Sequence, residues 1–141
     1  MAGAYTYAGS AWGTYFDGGG GTDMVGTFTC EIDMTANAVT DFDMSVSGAG
    51  SRSASINNAS GSFIGSSGEF NITGGNWFLS NPSPVSPVST SCTGSLFGPN
   101  AEHMGGAWAM DVGSGNNAAV GIFVGDKGGT PTIPALPPAI P

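Results

Sequence analysis

The chain has 141 residues and a formal net charge of −8, because it contains ten acidic residues and only two basic ones, Arg52 and Lys127. This balance argues against nucleic acids and anionic membranes as partners, since both are bound through Lys and Arg. No segment approaches the ~20 apolar residues of a transmembrane helix. With 25 glycines and 9% charged residues, the composition favours one all-β domain over a helical one.

The alternation of apolar and polar residues predicts strands from the N-terminus onward. Residues 3–16 form the first predicted strand, and a glycine-rich loop follows at 17–22. Residues 24–34 and 39–47 alternate most regularly, which is typical of strands with one buried and one wet face. Their expected buried residues include Phe28, Ile32, Phe42 and Met44.

The second and third predicted strands are expected to form an antiparallel hairpin. The expected register pairs Ile32 with Phe42 and leaves a loop at 35–39. Like charges then stand directly opposite one another, which is unfavourable. Either salt screens an exposed acidic face that discourages aggregation, or the face is a weak Ca²⁺ site. The spacing matches no calcium loop, so no metal or other cofactor is assigned. The opposed residues are Asp33 with Asp41 and Glu31 with Asp43.

Shorter candidate segments follow, and about eight strands are expected in the fold. An extended surface loop with three prolines is expected at 81–91, because proline cannot pair within a central strand. The aromatic pair Trp77 and Phe78 is a candidate partner contact, with ordinary core packing as the alternative. The later predicted strands span 51–57, 60–65, 68–73, 76–80, 92–97, 106–112 and 118–125.

The two cysteines, Cys30 and Cys92, lack the spacing of metal ligands. In a small, loop-rich β domain we interpret them as a disulfide, and two buried thiols are the alternative.

The stretch SLFGPNAEHMGG, residues 95–106, contains the only histidine, His103, beside Glu102. Adjacent residues on a helix or strand point apart, so the two do not form a catalytic pair. We therefore assign no catalytic residues and expect an architectural turn. In that interpretation the chain turns out of a strand at Gly98 and Pro99 and then forms one helical turn. The glycines at 105–106 end that helical turn.

A proline-rich arm, residues 128–141, is expected to follow a barrel domain at 1–127. Five prolines in the last eleven residues favour an extended conformation. Its apolar residues could lie in a groove of a neighbouring molecule. These candidate contacts are Ile133, Leu136 and Ile140.

The segments GSLFGPNAEHMGGAWAM and AAVGIFVGDK resemble the last strands of the barrel domain in the transferrin-binding protein B family. The hairpin EIDMTANAVTDFDM resembles that family's hairpin. The resemblance implies a single antiparallel barrel of about eight strands, filled by side chains. The matching residues are Phe97, Gly98, Pro99, Asn100, Ala101, Glu102, Gly105, Gly106, Gly121, Phe123 and Lys127.

The same resemblance implies a non-enzymatic binding or adhesion module exposed on a cell surface or outside the cell. Its partner would be a protein, either from a host or a neighbouring subunit. Relatives bind host proteins through loops and a handle domain, and no partner-contacting residue can be carried over to this chain. The alternative is a structural or decorating protein of a virion surface or filament, in which the arm clasps neighbours in a homo-oligomer or larger assembly.

Overall fold

The computed structural model of the chain describes residues 3–18, 20–81, 83–113 and 117–134. These residues form ten β-strands and one short 3-10 turn at Ala49–Ser51, and none of them lies in an α-helix long and apolar enough to cross a membrane. The strands are β1 Ala4–Phe16, β2 Gly21–Asp33, β3 Ala38–Gly48, β4 Ser53–Ile64, β5 Glu69–Ile72, β6 Asn76–Ser80, β7 Pro84–Val85, β8 Ser89–Phe97, β9 His103–Asp111 and β10 Ala118–Lys127.

Eight of the strands close an antiparallel barrel, which confirms the predicted fold class. The order around the barrel is β3-β2-β1-β10-β9-β8-β5-β4, and pairing between β3 and β4 closes it. The remaining strands, β6 and β7, extend the sheet from β4. The long strand β4 changes partner along its length, because residues 61–64 pair with β5 and residues 53–57 pair with β6.

The barrel interior is filled by side chains. Three phenylalanine rings meet near its centre: the centroid of Phe123 lies 4.9 Å from that of Phe28 and 5.1 Å from that of Phe42. The sequence prediction of buried positions is confirmed on β2 and β3, where Phe28, Ile32, Phe42 and Met44 are at most 2% exposed. Alternation therefore identified the inner face of these strands correctly.

Trp108 is the largest fully buried side chain. Its indole ring lies against Gly13 and Gly121, where an added Cβ would collide with the ring. The interior accepts so large a side chain because its neighbours on the inner wall have none. The two glycines are therefore packing positions within regular strands.

The predicted hairpin register was wrong by two residues. Cys30, and not Ile32, lies opposite Phe42, and a β-bulge after Glu31 places Ile32 opposite Val39. The Asp33 carboxylate accepts hydrogen bonds from the backbone N–H groups of Thr35 and Ala36, at 2.9 and 3.0 Å. This local turn shortens the loop, and the bulge absorbs the extra residue.

Residues 51–57 and 60–65, predicted as two strands, form the single strand β4. Asn58 has the left-handed φ of 52°, and its N–H donates a 2.9 Å hydrogen bond to the Asp43 carboxylate. The Asn57-Asn58 pair thus marks an irregularity inside a strand and does not end it.

The expected helical turn before Trp108 was also wrong. A turn at 98–102 leads directly into β9, which begins at His103, so Gly105 and Gly106 lie inside that strand. Gly106 packs against the Phe123 ring. The glycine pair therefore serves core packing and does not terminate a helix.

Candidate binding surface

One end of the barrel gathers the two loops predicted at 17–22 and 81–91. β1 ends and β2 begins at this end of the barrel. β6 also ends there and β8 begins there, because neighbouring strands are antiparallel. We call the described residues of 16–20, 49–52 and 81–88 the loop end. Segments far apart in the sequence therefore share one small surface.

Asp17 connects three segments of the loop end. Arg52 binds its carboxylate through Nε at 2.7 Å and Nη2 at 2.6 Å, both to Oδ2. The side-chain amide of Asn81 donates to the same oxygen at 3.2 Å. The Asp17 and Arg52 side chains are only 18% and 26% exposed. Charge-assisted hydrogen bonds of this kind hold the loops in one arrangement.

Two apolar side chains are exposed at the same end of the barrel. Val88 is 76% exposed, although its backbone N–H is fixed by a 2.8 Å hydrogen bond to the carbonyl oxygen of Asp111. Phe16, the last residue of β1, is 46% exposed. Both side chains are therefore accessible to a partner that contacts this end of the barrel.

Trp77 and Phe78, the predicted contact pair, lie in different environments. Trp77 is partly buried against the core, and its indole N–H donates a 3.0 Å hydrogen bond to the carbonyl oxygen of Gly74. Phe78 is on the opposite face of β6 and is 45% exposed. A contact role for either residue stays a prediction, and Phe78 has the accessible surface for one.

The C-terminal arm begins along the outer face of β1. The Gly128 N–H donates to the Thr6 carbonyl oxygen at 2.7 Å, and the Ser10 hydroxyl donates to the Thr132 carbonyl oxygen at 2.6 Å. Of the three predicted arm contacts, Ile133 is 68% exposed. Leu136 and Ile140 lie outside the described residues.

The turn at 98–102, at the opposite end of the barrel, is held by hydrogen bonds to β1 and β10. The Tyr7 hydroxyl donates to the Ala101 carbonyl oxygen at 2.6 Å. The Lys127 N–H donates to the Glu102 carbonyl oxygen at 2.8 Å. These two bonds join the turn to strands that lie beside each other in the barrel.

Glu102 and His103 have different partners. Oε2 of Glu102 accepts a 2.7 Å hydrogen bond from the backbone N–H of Asn100, and this bond lowers the pKa of the carboxyl group. Nδ1 of His103 lies 2.7 Å from Oδ1 of Asp126. The two side chains therefore act separately, and each contributes to the architecture of the turn and of β9.

Cys30 and Cys92 are free thiols in the structure, and both are buried. The disulfide expected from the sequence is not present. Burial raises the pKa of both thiols, and the proximity of Cys92 adds to the effect at Cys30. A thiol held in its protonated form is a poor nucleophile and a poor metal ligand.

Carboxylates on the acidic face of β2 and β3 make local hydrogen bonds. Glu31 lies opposite Asp41 and accepts a 2.9 Å hydrogen bond from the Thr40 hydroxyl. Partial burial raises the pKa of Asp41, and its neighbour Asp43 raises it further. Among the described residues, no group of three or more His, Cys, Asp or Glu could hold a metal ion.

Sequence reasoning missed two features of the surface. The connection at Asp17 depends on tertiary structure, and the only signal in the sequence was that Arg52 is one of just two basic residues. The second feature is an apolar row on the outside of β10. Its outward residues alternate with apolar inward ones, so alternation alone could not separate the two faces. The row consists of Val120, Ile122 and Val124.

No family model matches the sequence, and no curated protein matches it. Solved structures of similar fold do exist. One is the Trp-176-Ala mutant of the vaccine antigen transferrin binding protein B from Haemophilus parasuis Hp5, with 14% identity and a TM-score of 0.54 over 89% of this chain. Another is intact Ap-TbpB, with N and C lobes, at 13% identity and a TM-score of 0.54 over 94% of this chain.

The chain spans 26% and 27% of the length of these two proteins. At such low identity the likeness shows a common fold and nothing more. It supports the barrel expected from the resemblance, whereas the GPNAEHMGG motif itself stays a prediction.

Proposed function

We propose that the chain is a non-enzymatic barrel module that binds a protein partner outside the cell or at its surface, through the loop end. The observation that carries the proposal is the connection of three loop segments at Asp17, at the end of the barrel where Val88 and Phe16 are also exposed. Preformed loops with accessible apolar groups lose little conformational entropy when a partner binds.

The filled interior supports a role for the outer surface. Aromatic rings and Trp108 occupy the space in which barrels with a lumen hold a small ligand. A protein partner uses the outside of a barrel and needs no internal cavity. The net charge of −8 favours a partner with basic groups near its apolar contact.

The likeness to transferrin binding protein B agrees with a binding role, because that protein is named for a protein ligand. The proposal does not extend to transferrin, because the likeness concerns the fold. A surface location is proposed on the same basis.

Binding by loop variants of the full chain tests the proposal. The immobilised chain is exposed to extracellular proteins of the source environment, and the affinity of each captured protein is then measured with purified material. Val88→Asp should weaken binding at least tenfold. Ile64→Asp is the matched control, because Ile64 is 47% exposed at the other end of β4. A partner that binds the wild type and both variants equally would overturn the assignment of the loop end.

The alternative role in a virion or filament depends on the arm clasping a neighbour. In this structure the described part of the arm follows β1 of its own chain. This course favours the binding-module proposal.

A further inference from the structure

An open groove crosses the outer wall of the barrel where β1 lies between β2 and β10. It has a volume of about 270 Å³ and is lined by residues of all three strands. On β1, Thr14 lies between its neighbours Asp23 of β2 and Val120 of β10. Two residues earlier, Trp12 lies opposite Ile122. The groove therefore separates two rows of residues that stand ~7 Å apart along the strands.

The groove combines apolar walls with one carboxylate. Val120 and Ile122 are 46% and 50% exposed, so their side chains are accessible. Asp23 is exposed as well. It lies one strand away from Trp12 and is displaced from it by two residues in register. Side chains in this diagonal relation stand ~7–8 Å apart, so one long side chain of a partner can contact both.

The Asp23 carboxylate has no ion-pair partner within the described part of the chain. The two basic residues of the sequence are engaged elsewhere. Arg52 is bound to Asp17, and Nζ of Lys127 donates a 2.8 Å hydrogen bond to the carbonyl oxygen of Asn100. The chain thus has no Lys or Arg side chain left for Asp23. This arrangement favours a cation from another molecule, which the net charge of −8 also attracts.

We propose that this groove binds an arginine side chain of a protein partner, with the guanidinium between the Trp12 ring and the Asp23 carboxylate. A guanidinium stacks on aromatic faces and donates paired hydrogen bonds to a carboxylate. The methylene stem of arginine is apolar and would lie against Val120 and Ile122. Arginine fits the groove better than lysine, because its planar head makes both polar contacts at once.

The groove is distinct from the loop end, although Thr14 lies only two residues before Phe16. The inference does not rest on the proposed function. The loop end is tested by Val88→Asp with a captured protein, whereas the groove is tested with a peptide. A failure of either proposal would therefore leave the other standing.

A short peptide tests the groove without a known partner. The ¹⁵N-labelled full chain is titrated with acetyl-Gly-Val-Arg-Val-Gly-amide, and NMR records the backbone and indole N–H signals. Residues 12–14, 23–25 and 120–122 should show saturable shifts. The matched peptide carries citrulline, which keeps the shape of arginine and lacks its charge. Its dissociation constant should be about tenfold higher, because the cation–π contact and the ion pair are both lost.

Variants of the two polar contacts sharpen the test. Asp23→Asn and Trp12→Leu should each raise the dissociation constant of the arginine peptide about threefold, because each variant keeps one of the contacts. Glu69→Gln neutralises an exposed carboxylate of β5, so it is the matched control and should leave the constant unchanged. The NMR spectra show whether each variant folds.

The inference would be overturned by equal binding of the arginine and citrulline peptides. The absence of saturable shifts, or shifts confined to residues outside the groove, would overturn it too. An unchanged affinity in either Asp23→Asn or Trp12→Leu would have the same consequence.

Discussion

The Tyr7 hydroxyl is hydrogen-bonded to the Ala101 carbonyl oxygen at 2.6 Å, although the two residues stand 94 positions apart in the chain. Ala101 has the left-handed φ of 53°, which a residue with a Cβ adopts at a cost. The bond from β1 holds the turn in this conformation. The only histidine thus follows a turn whose shape depends on the first strand.

Removal of the Tyr7 hydroxyl should destabilise the barrel. Tyr7→Phe deletes one hydrogen bond and leaves the ring in the core, so we expect a loss of about 1 kcal/mol in the free energy of unfolding. Urea titration at pH 7, followed by circular dichroism, measures it. An unchanged midpoint would mean that other contacts hold the turn.

The same variant should alter the dependence of stability on high pH. Burial raises the pKa of Tyr7 to about 12, from ~10 in the unfolded chain. The raised pKa contributes stability below pH ~10 that is lost as the pH rises towards 12, because the unfolded chain gives up the proton first. The wild type should therefore lose more stability over this interval than Tyr7→Phe.

Neutralisation of Asp17 should loosen the loop end. Asp17→Asn removes the charge that Arg52 and Asn81 share, and we expect a loss of about 1 kcal/mol because the groups are partly buried. Hydrogen exchange at residues 49–52 and 81 should accelerate. Asp23→Asn removes an exposed carboxylate of β2, so it is the matched control and should leave these rates unchanged.

Two glycines should respond differently to the same substitution. Gly121→Ala places a methyl group against the Trp108 ring and the Trp12 carbonyl oxygen. Such overpacking costs about 1–3 kcal/mol. At Gly105 the new Cβ would lie 3.5 Å from the Phe97 ring, an ordinary contact. Thermal unfolding should therefore show a large fall in Tm for Gly121→Ala only. Equal falls would contradict the packing role of Gly121.

The two thiols should be unreactive in the folded protein. Cys30 and Cys92 are 1% and 2% exposed, and burial raises the pKa of each. Iodoacetamide at pH 8 should leave the native chain unmodified and add two groups in urea without any reductant. A chain that accepts the label only after reduction would contain the disulfide expected from the sequence.

Alternation predicted the parts of the fold that depend on one buried face. It located the inner residues of β2 and β3, because a strand with one wet face has a period of two. It could not fix the hairpin register, since the bulge after Glu31 depends on the hydrogen bonds of the Asp33 turn. It could not locate the outer row of β10 either, because both faces of that strand are apolar.

The candidate site was less predictable than the fold. Glycine and proline located the two loops, although β2 begins inside the predicted range 17–22, and β7 and the start of β8 lie inside 81–91. The connection through Asp17 joins segments that only barrel closure brings together. The packing role of the glycines in β9 could not be predicted from the sequence either. A glycine beside a buried ring and a glycine in a turn look the same in a sequence.

The first and last strands of the barrel pair with each other, from Tyr7 with Lys127 to Phe16 with Ala118. A nascent chain therefore cannot complete its hydrogen-bonded circuit until β10 has been synthesised, and until then β1 keeps an open edge beside aromatic groups destined for the interior. Such an edge can recruit other strands. Folding of this protein should accordingly be a late, all-or-none event, and a ribosome stalled before β10 should yield a species that chaperones retain.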